Sequence, residues 1–325
     1  MRNALLAGVI WSLAASSIHT QNPGDPPHRR HHALTYDSRT KRVILFGGQQ
    51  LISDSNTPVL DDLWSWDGQR WVQVRTSTGI GMIGHKLFAD SAGNVFASGT
   101  ARAAGSFGAA ASTAVTVRWD GARWLTVVGD STPYRESAAG AYDSARERYV
   151  LFGGLVGMRL AGTTWEFDGT RWDRVATSGP PPTLGGAMAY DRERRVVVLF
   201  GGVDSVGKKY GDTWTWNGQE WTRVASTGPS PRFGAGMAND AARHEVVLFG
   251  GVDSSNVKLN DTWRWDGRRW RLETPSVAPP PRSEGYMAYD EARRVVVMFG
   301  GEGVKVVPTL GDTWEWDGSM WKRAR

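Results

Sequence analysis

The chain has 325 residues, a formal net charge of +5 and no cysteine. That excludes a disulfide framework, a thiolate zinc site and a cysteine nucleophile, and with no long basic run nothing points to nucleic acid. Hydrophobic residues at 40% and charged residues at 22% exclude a disordered chain. The 40 glycines signal many tight turns, and the 17 tryptophans need a repeated structural slot or a large aromatic surface.

Arg2, the almost wholly apolar stretch Ala4 to Ala15 and the small residues Ala14 to Ser17 make the three-part pattern of a secretory signal peptide, expected over 1–21. The apolar run is shorter than the ~20 residues of a spanning helix, so cleavage is preferred to an anchor. The mature chain is therefore expected outside the cytoplasm, secreted or periplasmic, with no membrane span. Residues 22–27, rich in proline and polar residues, read as a linker. His28, His31 and His32 follow, but no carboxylate or histidine at ligand spacing joins them, so neither a metal nor another cofactor is expected.

Residues 28–325 repeat. An apolar run ends in Gly-Gly at Gly47-Gly48, Gly153-Gly154, Gly201-Gly202, Gly250-Gly251 and Gly300-Gly301, with the later pairs about 49 residues apart. A second marker is an aromatic, Asp or Asn, then Gly, with a tryptophan three residues on. It occurs six times, from Trp66-Asp67-Gly68 with Trp71 to Trp316-Asp317-Gly318 with Trp321. Trp119-Asp120-Gly121 with Trp124 fills the gap between the first two Gly-Gly pairs. The six units are expected over about 28–74, 75–129, 130–177, 178–226, 227–274 and 275–325. The second is degenerate: Ala97-Ser98-Gly99 replaces Phe-Gly-Gly, Val117 stands where its neighbours carry Trp64 or Trp165, and an Ala/Gly-rich loop, Thr100 to Ala114, replaces the usual one.

Each unit reads as four strands, most clearly in the fourth. Met188 to Tyr190 lies in a first strand, and Asp191 to Arg195 is a polar turn. Val196 to Phe200 is the continuous apolar run of a strand buried on both faces. Thr213 to Trp216 is a third strand of β-branched and aromatic residues. Asn217-Gly218 makes a tight hairpin turn, and Trp221 to Val224 is the fourth strand. The expected fold is all-β, a six-bladed β-propeller of four-stranded blades.

A Gly-Gly after an apolar strand, a variable loop and two aromatics bracketing a turn resemble the kelch motif, and the wording looks like that of bacterial kelch-repeat proteins. The resemblance covers about residues 28–325 and implies a propeller whose first strands line a central channel. No spare strand is visible at either end, so ring closure is expected to rest on packing of the first blade against the sixth.

Because the tryptophans recur at fixed places they are read as core. Asp37, Asp90, Asp143, Asp191, Asp240 and Asp290, and likewise Asp62, Asp212, Asp261 and Asp312, are read as repeat residues whose carboxylates accept backbone N–H groups. The ligand-binding candidates are of two kinds. Arg29, Arg135, Arg232 and Arg282 precede the first strands of units one, three, five and six. They would ring one mouth of the channel, where guanidinium groups suit carboxylates or sulfates; the competing role is structural. Glu136, Glu284 and Tyr286 lie near the same rim and break the repeat. The loops after Gly-Gly, such as Gln49 to Leu60 and Val203 to Gly211, vary most, and partner specificity in this fold usually lies there.

The function expected is an exported, monomeric binding or scaffold propeller that recognises a protein, peptide or glycan, anionic ones included, through one face of the ring. The alternative is a carbohydrate-active enzyme, a non-metal sugar isomerase or lyase with Glu136 or Glu284 as base. The copper oxidases among kelch propellers need a cysteine linked to a tyrosine, and this chain has none.

Overall fold

The computed structural model describes residues 24–53, 56–102, 113–129, 133, 135–304 and 309–324. The expected signal peptide lies outside these residues.

Among the described residues, six antiparallel sheets of four or five strands follow one another along the chain. The first comprises Ala33–Asp37, Arg42–Phe46, Leu63–Trp66 and Trp71–Arg75, and the last comprises Tyr286–Asp290, Val295–Glu302, Thr309–Trp316 and Trp321–Arg323. Each is a blade of four strands in chain order; the second adds a short strand, Gly81–Met82, to the long strand Val95–Arg102. The fourth blade, Ala187–Asp191, Val196–Phe200, Thr213–Trp216 and Trp221–Ala225, matches the expected strands closely.

The unbroken apolar runs follow from this architecture. Successive side chains of a strand point to opposite faces, and each blade is covered on both. Val197 and Leu199 pack against Val150 and Phe152 of the third blade, whereas Val198 and Phe200 pack against Val246 and Leu248 of the fifth. An alternating pattern would leave one inter-blade face polar.

The ring closes without exchange of a strand, because the first and sixth sheets each use only their own consecutive segments. Leu34, Val43 and Leu45 pack on Ala288, Val297 and Phe299. Across the same seam the Trp71 indole N–H donates to Thr313 Oγ1 at 2.8 Å, and His32 Nε2 lies 3.0 Å from the Phe299 carbonyl oxygen.

Two local expectations are revised. Trp216 pairs with Trp221, so the third and fourth strands are joined by a four-residue loop and not by a two-residue Asn-Gly turn. Asn217 Oδ1 accepts the N–H groups of Gln219 and Glu220 at 2.8 and 2.9 Å, and Gly218 takes the positive φ of 98°. In the second blade, strands run to Arg102 and resume at Thr113, so much of the segment read as loop is sheet or lies outside the described residues.

Candidate functional site: the channel and its two mouths

All six first strands border one cavity of about 390 Å³ on the ring axis. Leu34, Gly140, Met188, Met237 and Met287 line it more deeply, and Tyr36, Tyr142, Tyr190 and Tyr289 stand nearer the turns between first and second strands. Two of these phenols brace the preceding blade: Tyr142 accepts the Ser91 N–H at 3.2 Å and Tyr289 accepts the Ala242 N–H at 3.0 Å. At this mouth Arg192 of the fourth blade and Glu291 of the sixth form an ion pair at 2.6 Å.

The opposite mouth is a ring of left-handed residues, one from each blade: His31, Gly84, Ser137, Gly185, Gly234 and Glu284. Backbone bonds link neighbours, from Gly84 N to His31 O at 2.8 Å, Gly185 N to Ser137 O at 2.9 Å, and Glu284 N to Gly234 O at 2.7 Å. Three positions carry side chains despite the cost of a left-handed backbone in a non-glycine residue. His31 Nδ1 and Glu284 Oε2 meet at 3.2 Å, joining the first and last blades.

Just inside this ring lie Tyr286 and Lys86, with Lys86 Nζ 5.6 Å from the centre of the Tyr286 ring. Burial lowers the Lys86 ammonium to about 8, against the opposing effect of the Glu284 charge. Burial and the Glu284 charge both raise the Tyr286 phenol, and burial, with a smaller effect of Tyr286, raises Tyr149.

The arginines do not form the expected ring of free guanidinium groups. Arg29, Arg232 and Arg282 are almost wholly buried, at 0%, 1% and 1% exposure. Each grips an aspartate of its own blade with two bonds: Arg29 with Asp62 at 2.7 and 2.7 Å, Arg232 with Asp261 at 2.6 and 2.9 Å, Arg282 with Asp312 at 2.7 and 2.7 Å. Each also donates to a carbonyl of the Gly-Gly pair, Gly47, Gly250 or Gly300. Meanwhile the Arg29 backbone pairs with Leu310 and Gly301 of the preceding blade. The residue is thus a clasp between blades, with no face left for an incoming anion. Arg135 is part-buried and bonds Thr163 Oγ1 at 2.8 Å and the Gly153 carbonyl at 3.3 Å.

The same geometry revises the aspartates before the third strand. Asp62, Asp261 and Asp312 accept guanidinium groups, and each also accepts the indole N–H two residues on, from Trp64, Trp263 and Trp314 at 2.7 Å. The turn aspartates behave as expected; Asp37 takes the Arg39 N–H at 2.9 Å and Asp191 the Arg194 N–H at 3.1 Å.

Residues 145–324, more than half of the chain, match the family described as the KLHDC2/KLHL20/DRC7 Kelch-repeats domain. This chain belongs to the kelch-repeat family. Kelch propellers are commonly protein-binding scaffolds. No curated protein matches the chain.

Of the other candidates, the kelch ring separates Glu136 from Glu284. Glu136 is exposed on the third blade, its backbone paired with Leu155. Glu284 and Tyr286 converge with His31 and Lys86. Lys86 was not singled out from the sequence, although it was marked there: it replaces the alanine of Ala33, Ala139 and Ala187. Among the described residues, no group of three or more His, Asp or Glu side chains is placed to hold a metal ion. Burial, chiefly, holds His32 well below the usual imidazole range, so it serves as a neutral structural residue.

The loops after the Gly-Gly pairs belong to the mouth with the left-handed ring, since their starts bridge the segments leading into it, as Arg30 with Gln49 and Leu184 with Val203. Five of them each present an exposed aliphatic side chain: Ile52, Met158, Val206, Val257 and Val304. The loop positions were legible in the sequence, but this feature was not.

Proposed function

We propose that this protein is an exported kelch propeller that binds a protein partner through the mouth carrying the loops after the Gly-Gly pairs. The five exposed loop residues carry the proposal, above all Met158 at 96% and Val206 at 86% exposure. An apolar side chain gains by leaving water, and five on one mouth form a distributed contact surface with polar loop residues between them. A glycan is better matched by open aromatic platforms, and the repeat tryptophans are largely committed to the blade interfaces. An acidic ligand held by the arginines is disfavoured because they are occupied within the fold. The isomerase or lyase reading loses the same arginines as substrate holders. Export rests on the pattern at residues 1–21.

The test is affinity capture by the mature chain, residues 22–325, from the extracytoplasmic fraction of its native cell. The companion variant is Ile52, Met158, Val206, Val257 and Val304 all changed to Ser. A protein retained by the wild type and lost by the variant supports the proposal. Equal retention by both, or binding to a glycan array alone, overturns it. Amino-terminal sequencing checks export: an intact Met1 on a chain confined to the cytoplasm would rule it out.

A further inference from the structure

The junction of the first and second blades lacks side chains that fill the others. In the third to sixth blades an arginine three residues after the turn aspartate lies against the hairpin glycine of the following blade: Arg146 on Gly218, Arg194 on Gly267, Arg243 on Gly318 and Arg293 on Gly68. At two of these junctions the arginine also holds a glutamate that accepts an indole N–H of the next blade. Arg146 pairs with Glu166, which takes the Trp216 N–H at 2.8 Å. Arg293 pairs with Glu315, which takes the Trp66 N–H at 2.8 Å. In the first blade Thr40 stands for the arginine and Ser65 for the glutamate. Among the described residues nothing lies within 4 Å of the place a Cβ on Gly121 would take. Trp119, the counterpart of Trp66 and Trp216, is part-exposed, whereas both of those are 0% exposed.

These substitutions leave a cavity of about 310 Å³, within the range of small-molecule sites. Ile44, Leu63, Val72 and Val95 give it an apolar wall, and Asp37, Thr40, Arg42, Ser65 and Trp119 give it a polar end. Asp37 is already satisfied, by the Arg39 N–H at 2.9 Å and Thr40 Oγ1 at 2.7 Å. Arg42 differs. Among the described residues no carboxylate lies within ion-pair distance of its guanidinium, and its Nη1 makes a long bond, 3.5 Å, to Ser65 Oγ. Arg42 is not one of the clasp arginines; it opens the second strand of the first blade.

We propose that this cavity binds a small carboxylate with an apolar body. Its carboxylate takes the place that Glu166 and Glu315 fill at the other junctions, beside Arg42, the Ser65 hydroxyl and the Trp119 indole, and its hydrocarbon leaves water for the apolar wall. The spacing suits that pairing. In the fifth blade the positions of Arg42 and Ser65 hold Glu245 and Arg264, which pair at 2.7 Å. A ligand carboxylate beside Ser65 makes the same pair with the charges exchanged. Two carboxylates at one junction is a charge set that this fold already carries, since Arg146 holds both Asp143 and Glu166. A guanidinium ligand in place of the missing arginine fits less well, because it would meet the positive charge of Arg42. Asp37 and Thr40 belong to the mouth opposite the loops after Gly-Gly, so the inference does not rest on the protein-binding proposal.

The test is calorimetric titration of the mature chain, residues 22–325, with hexanoate, and with hexanol and hexylguanidinium as its neutral and cationic counterparts. Hexanoate is expected to bind at least ~10-fold more tightly than hexanol, the scale of one hydrogen bond to a charged group. Ser65→Glu puts the glutamate of the third and sixth blades into the cavity, so it is expected to abolish hexanoate binding while keeping the unfolding midpoint. Arg42→Gln changes a part-exposed side chain and tests the same contact without filling the cavity. It is expected to weaken hexanoate ~10-fold and to leave hexanol unchanged. No saturable binding of hexanoate, binding that neither variant weakens, or tighter binding of hexylguanidinium than of hexanoate overturns the inference.

Discussion

The Trp124 indole nitrogen is buried in the cluster that contains Leu63 and finds no acceptor among the described residues. At the other five junctions the equivalent indole donates to a threonine of the preceding blade: Trp71 to Thr313, Trp172 to Thr116, Trp221 to Thr164, Trp270 to Thr213 and Trp321 to Thr262, each at 2.8 Å. A buried leucine cut to a smaller side chain ordinarily costs about 2–5 kcal/mol. Leu63→Thr is expected to cost less than about 1 kcal/mol, because it supplies the missing acceptor and relieves an unmet donor. Urea unfolding measures the difference, and a full leucine-deletion cost would show that the sixth bond does not form.

Thr313→Val makes the reverse change at the closing seam. Shape is kept while the Trp71 N–H loses its acceptor, so a loss of about 1–3 kcal/mol is expected. Thr→Val at an exposed site serves as the reference; equal effects at both sites would mean that the bond contributes nothing to closure.

The Arg282–Asp312 clasp predicts a strong asymmetry. Burial alone would raise the Asp312 carboxyl, but the Arg282 charge and hydrogen bonds, with the Trp314 N–H, hold it below the usual carboxylate range. Arg282→Met leaves that carboxylate uncompensated and is expected to cost about 3–5 kcal/mol. The double change Arg282→Met with Asp312→Leu is expected to recover much of the loss, read from denaturant midpoints. A double variant as unstable as the single one would contradict the clasp.

Stability is expected to decline as pH falls below about 6.5, the ordinary imidazole value. Burial lowers His32 well below that value and His85 to about 3. Between these limits the unfolded chain binds protons that the folded chain refuses, so each histidine removes about 1.4 kcal/mol per pH unit on the acid side. The contribution of His85 is complete above about 6.5 and is lost progressively towards about 3. His85→Phe is expected to flatten the slope by one proton, and unfolding midpoints at pH 7, 6 and 5 would reveal a failure as an unchanged slope.

The Lys86 ammonium, followed by side-chain NMR, is expected to lose its proton with a midpoint near 8. Glu284 opposes the effect of burial by holding the amine protonated, so Glu284→Gln is expected to move that midpoint to lower pH. A midpoint that stays in place would remove Glu284 from the electrostatics of the amine.

Much of the architecture was legible because its causes are local and repeated. Val196 to Phe200 is apolar on both faces because a blade is covered on both, and Gly201-Gly202 follows because both glycines take positive φ, 71° and 107°. Repetition shows such slots five times over. The candidate site was less legible. Arg29 and Asp62 were both noticed, but as separate features 33 residues apart. Their contact depends on how the loop between second and third strands returns to the blade.

The linear order of apolar, glycine and aromatic residues by itself determined a ring of six four-stranded blades, because strand burial and turn conformation depend mainly on near neighbours. Only the tertiary structure decided that the repeated arginines are clasps, and that His31, Lys86, Glu284 and Tyr286 gather at the left-handed ring. Those groups come from three blades, and charge pairing and burial depend on distance through space, which their spacing along the chain does not encode.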